Sequence, residues 1–164
     1  MIGCGGLVNK EGPKPQGFID KVMKQAKGRK VHLLGYTQPK FIKYFRPYSC
    51  DSSSWIRAMR YGIADVYMGQ GNYVNWSRRQ AKEKPNAKIL AALKKLGFEL
   101  DQFKHEKNWS KGTNLAQEVS TRTWLIYQHD IKKHINVKLF LALGDWQSVE
   151  RLAKHYDWLQ EQTV

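Results

Sequence analysis

The first 53 residues alternate three short apolar runs with two helix-length segments, and this alternation constrains the fold more than any other feature of the chain. Met1 to Val8 is an apolar, Gly-rich run that predicts a strand, and Gly12-Pro13-Lys14-Pro15 breaks it. Phe18, Ile19, Val22, Met23 and Ala26 then fall on one face of a helix, with Gly28 placed to cap its end. Val31-His32-Leu33-Leu34-Gly35 predicts a buried strand. Thr37 is placed to cap a short helix carrying Phe41, Ile42 and Phe45, and Pro47-Tyr48-Ser49-Cys50 predicts a third strand. Connections this short imply parallel pairing with right-handed crossovers, which collects function at the C-terminal strand ends. Those ends are Gly5-Gly6-Leu7, Gly35-Tyr36-Thr37 and Asp51-Ser52-Ser53-Ser54.

Beyond Trp55 the pattern turns mainly helical. A short helix is expected from Trp55 to Tyr61, a loop or hairpin from Gly62 to Asn75, and a helix from about Pro85 to Leu96 that Gly97 closes. Thr113 or Asn114 is placed to cap a longer helix to about His134, Val137 to Leu143 predicts a strand, and Asp145 is placed to cap a last helix. The fold class expected is α/β, a β-α-β-α-β unit over residues 1–62 followed by a mainly helical basic extension over 63–164, packed as one structural unit.

Charge narrows the partners. With 28 Lys and Arg against 14 Asp and Glu in 164 residues, the net charge is +14, and nucleic acid is the partner that explains it most simply. An acidic protein partner and a plain soluble basic surface also meet it. Two cysteines are too few for a disulfide scaffold or a four-cysteine zinc site and point to a reducing, cytoplasmic setting. The apolar runs are far too short for a membrane span, and the N-terminus lacks a secretion signal.

Taken on their own residues, the candidate positions stay open between two roles. Asp51 before three serines suits a helix N-cap or Asx turn as well as a catalytic carboxylate. Gly5-Gly6 suits a tight strand exit, and no G-x-G-x-x-G follows a strand. Arg57, Arg60, Arg78 and Arg79 interleave with Trp55, Tyr67, Tyr73 and Trp76, a pattern that serves nucleic-acid contact, core packing or a protein interface equally, and Arg57 and Arg60 also suit a solvated helix face. His129 and His134 lie five apart and do not share a helix face, His32 falls inside the buried strand, and no metal or cofactor is expected.

Three stretches together resemble the tRNA-guanine transglycosylases. Gly5-Gly6-Leu7-Val8-Asn9-Lys10-Glu11 resembles that family's G-G-L-A-V-G-E segment, with both glycines, the leucine and the glutamate in register. Val31 to Phe41 resembles the next barrel strand and its T-P helix start across a one-residue gap. Asp51 to Gly62 resembles D-C-V-M-P-T-R-N-A-R-N-G, matching at the aspartate, at both arginines and at the glycine. The resemblance implies a partial TIM-barrel-like unit and exchange of a guanine in tRNA, or in DNA for a DNA-modifying relative, for a 7-deazaguanine. It makes Asp51 the nucleophile, Gly5, Gly6, Leu7 and Glu11 the base-binding wall, and Arg57 and Arg60 phosphate contacts. The likeness starts at what would be the family's sixth strand, and the family's upstream acid/base aspartate and its zinc motif have no counterpart here. The expectation is therefore that either a partner chain or a second copy completes the barrel, or the chain is a diverged DNA-directed relative with a compact fold. The competing expectation is a catalytically inert nucleic-acid-binding protein that retains a partial barrel, and a hydrolytic glycosylase would use the same carboxylate with water as acceptor.

Overall fold

The computed structural model describes residues 1–7, 15–83, 86–109 and 115–163. Glu11 and the two expected caps Thr113 and Asn114 lie outside the described residues, as does Pro85. The chain divides into two compact units, one of residues 1–53 with 128–142, the other of 54–127 with 143–164. The first unit ends at Ser53 and takes back a later segment of the chain.

In the first unit the expected alternation is present. Strand β1 (Ile2–Cys4), helix α1 (Pro15–Ala26), strand β2 (Val31–Leu33), helix α2 (Pro39–Phe45) and strand β3 (Ser49–Ser52) follow in order. The strands pair in parallel, Cys4 with Leu33 and Leu33 with Cys50, and β6 (Lys138–Leu141) adds a fourth parallel strand beside β3. The sheet order is β1-β2-β3-β6. Because side chains alternate across a strand, Cys4, Leu33, Cys50 and Leu139 share one face and are buried. Helices α1 and α2 bury Ile19 and Ala26, and Ile42 and Phe45. The opposite face carries His32, Ser49, Asp51 and Phe140, and Phe140 is 54% exposed. Helix α2 starts one residue later than expected: Gln38 takes the N-cap position without a side-chain hydrogen bond, and Pro39 opens the first turn, where its missing N–H costs nothing.

The second unit joins a hairpin to helices. A 3-10 turn (Ser54–Ile56) leads into α3 (Arg57–Tyr61), then the antiparallel pair β4 (Ile63–Gly69) and β5 (Asn72–Ser77). Helices α4 (Arg78–Lys82) and α5 (Ala87–Lys95) follow. Helix α4 was not expected, although its capping box is visible in the sequence: Ser77 accepts from the Gln80 backbone, and Gln80 accepts from the Ser77 backbone. The long helix α6 (Leu115–Ile135) is divided between the units after Tyr127. Helix α7 (Trp146–Thr163) is capped as expected, with Asp145 accepting from the Ser148 N–H at 2.7 Å. Trp76, Leu93, Leu96, Phe103, Trp109 and Val119 form the centre of this unit's core. No helix among the described residues is long and apolar enough to cross a membrane.

Candidate active site

Asp51 occupies the third position of β3, near the C-terminal end of a strand with parallel neighbours on both sides. The period-two alternation that sends Cys50 into the core turns Asp51 to the open face of the sheet, half-buried. Both oxygens of its carboxylate are held. The Gly35 N–H donates to Oδ1 at 2.7 Å, and His32 Nε2 lies 2.9 Å from Oδ2. Gly35 can aim its N–H this way because its φ of +66° belongs to the left-handed region that favours glycine. A carboxylate only accepts hydrogen bonds, so Nε2 carries the proton in this contact. The other ring nitrogen, Nδ1, lies 2.8 Å from Ser49 Oγ, and Ser49 is buried.

The remaining strand ends frame this carboxylate. Gly5 and Gly6 follow β1, and a Cβ added at Gly5 would lie 3.3 Å from the Leu34 side chain. The Leu34 N–H donates to the Cys4 carbonyl at 2.9 Å, which ties the first two strand ends together. Leu34 and Phe140 are both exposed, and the Phe140 ring centroid is 6.3 Å from that of His32. Leu7 is buried. The open face therefore presents one oriented carboxylate with apolar surface on its two flanking strands. Such a group can attack a carbon on which positive charge builds, or stabilise that charge.

Of the expected site residues, Asp51, Gly5, Gly6 and Leu7 belong to this first unit, while the four arginines belong to the second. Arg57 does not present a free guanidinium: its Nη2 donates to Asp65 Oδ1 at 2.7 Å, and Asp65 is fully buried. Asn75 Nδ2 at 2.6 Å and Trp124 Nε1 at 2.8 Å complete the donors around that carboxylate. Burial pushes the Asp65 carboxyl up, against the opposing pull of the Arg57 cation and the three hydrogen bonds. Arg60 and Arg79 are exposed, Arg79 with Glu83 as an i, i+4 neighbour at 3.7 Å, and Arg78 pairs with Glu106.

His32 and Ser49 are the site residues that sequence reasoning missed. Their signal was a polar residue at the centre of a three-residue strand and another two positions before Asp51. That spacing places Ser49 on the Asp51 face, but only the register His32 to Ser49 brings the imidazole there. Among the described residues no group of three or more His, Cys, Asp or Glu side chains could hold a metal ion. No family model, curated protein or solved structure matches the chain.

Proposed function

We propose that this chain carries the nucleophile-bearing part of a transglycosylase that exchanges a guanine in tRNA or DNA for a 7-deazaguanine. The observation that carries the reading is the Asp51 carboxylate, fixed through both oxygens at the C-terminal end of a parallel strand whose neighbour strand leads into Gly35. In this mechanism one Asp51 oxygen bonds to the anomeric carbon as the glycosidic bond breaks, and the bond's electron pair leaves with the base, which takes up a proton. The incoming base then displaces Asp51 from the same carbon through a ring nitrogen whose proton passes to solvent, which balances the proton the departing base takes from solvent. Gly5 and Gly6 supply a backbone wall without side chains beside the base edge.

Exposed apolar side chains on the Asp51 face of the β1-β2-β3-β6 sheet support a further part of the reading, a TIM-barrel-like unit completed by other strands. Parallel sheets are ordinarily covered on both faces, and this one presents Leu34, Phe140 and Asp51 on its open side. In this reading strands from outside the described residues, such as those of a partner chain or a second copy, complete it. The chain's net charge of +14 draws in the nucleic acid, with Arg60 exposed on the second unit and Arg78 and Arg79 exposed there beside Glu106 and Glu83.

The test is incorporation of a radiolabelled 7-deazaguanine into tRNA and into duplex DNA by protein purified from its own source with any bound partner. Exchange by wild type and its loss in Asp51→Asn, with nucleic-acid affinity kept within about threefold, supports the reading. Normal exchange by Asp51→Asn overturns it. Tight, steeply salt-dependent binding without exchange on either substrate assigns the chain to the inert binders instead.

A further inference from the structure

We infer that His32 and Ser49 act as a relay that positions the Asp51 carboxylate, an inference that rests on Asp51 being the nucleophile. The three side chains come from two adjacent strands and share the open face of the sheet, with contacts of 2.8 Å from Ser49 Oγ to Nδ1 and 2.9 Å from Nε2 to Oδ2. The carboxylate fixes the direction of the hydrogen bond at Nε2, and a neutral imidazole, on which the inference rests, fixes the direction at Nδ1. The carboxylate end can only accept, so Nε2 donates. The neutral imidazole then has a lone pair at Nδ1, which accepts from the Ser49 hydroxyl. Ser49 is buried, so water does not compete freely for that hydroxyl, and the tautomer is set from behind.

The result is a carboxylate with one donor on each oxygen, Gly35 N–H on Oδ1 and His32 Nε2–H on Oδ2. Rotation about the Cβ–Cγ bond would break both contacts, so the oxygens keep their orientation before the reaction, which is where positioning lowers a barrier. The same donors remain useful after attack. When one oxygen forms the ester to the anomeric carbon, the other becomes a carbonyl that still accepts a hydrogen bond. His32 gives up no proton in the cycle. It is a positioning residue, and its effect belongs to the chemical step rather than to nucleic-acid binding.

The experiment compares wild type, His32→Phe, His32→Gln and Ser49→Ala, each isolated with any bound partner, in single-turnover formation of the covalent adduct with a guanine-containing tRNA or DNA. Affinity for the same nucleic acid and the thermal midpoint are read in parallel. The expected result is adduct formation slowed about 10²-fold in His32→Phe, which loses the donor, with affinity unchanged. Gln keeps an N–H donor and recovers most of that rate, and Ser49→Ala falls between the two. Nitrogen-15 NMR of the histidine side chains gives a readout independent of activity: His32 is the Nε2–H tautomer in wild type and loses that preference in Ser49→Ala. Wild-type adduct formation by a folded His32→Phe, or an Nδ1–H tautomer in wild type, overturns the inference while leaving base exchange standing. Absence of adduct in wild type on both nucleic acids instead overturns the base-exchange reading, and the positioning role falls with it.

Discussion

Cys50 and Asp51 are chain neighbours with opposite fates, because one step along a strand changes the face. Cys50 is fully buried, and burial, together with the nearby Asp51 charge, pushes its thiol up to about 12. Cys4, on the same face, is buried and its thiol is raised for the first of those reasons. Thiolate is the reactive form, so neither cysteine is a nucleophile at neutral pH. Native protein treated with iodoacetamide at pH 8 is therefore expected to keep its intact mass, and to gain two adducts only after denaturant exposes the thiols. Rapid alkylation of the native protein would remove Cys50 from the core and put the register that aims Asp51 outward in question.

At the scale of elements, the hairpin β4–β5 and helices α3 and α6 are joined through one buried carboxylate. Asp65 on β4 receives Arg57 from α3, Asn75 from β5 and Trp124 from α6, while its own N–H donates to Ser120 Oγ at 2.9 Å. Removing one side of a buried pair strands the other, so Asp65→Ala is expected to lower the unfolding free energy by about 3 kcal/mol, measured by urea denaturation. Arg57→Ala should act in the same sense, chiefly on stability. Arg60→Ala, on an exposed side chain of the same helix, should leave stability within about 0.5 kcal/mol and weaken nucleic-acid binding instead. An Arg57→Ala protein as stable as wild type would show that this network contributes little, and would return Arg57 to the phosphate contacts.

For the molecule as a whole, His155 in the second unit is one group whose titration costs stability in acid. Burial first, then the charges of Arg122, Lys154 and Arg151, lower it to about 4, and Arg122 Nε donates to its Nδ1 at 3.3 Å. Its folded value lies below the ordinary 6.5, so the unfolded chain takes up this proton first as pH falls. Its contribution is complete above about pH 6.5 and is lost progressively towards pH 4, by at most about 3 kcal/mol. Asp65 runs the other way: its raised carboxyl favours the folded state as pH falls. The difference between wild type and His155→Phe in urea unfolding across pH 7 to 4 isolates the histidine, and wild type should lose more stability than the variant over that range. Parallel curves would assign the acid response to other groups.

The alternation of strands and helices, the cap at Asp145 and the presence of a lone acid at the end of the third strand are local patterns, and these were legible in the sequence. Propensity, period and capping act over a few residues, so the chain alone determines them. Three features were decided only by tertiary structure. β6 joins the first sheet beside β3 although most of the second unit lies between them in the chain, because pairing depends on which edge is free and not on sequence distance. Arg57, which matches a phosphate contact by motif position, is drawn to Asp65 because a buried carboxylate requires a partner more strongly than a solvated cation does. His32 meets Asp51, 19 residues away, through strand register, which no local pattern encodes. The sequence by itself therefore determined which residue bears the carboxylate, and the sheet decided what holds it, since a hydrogen bond across strands exists only once burial of one face has set the register of both.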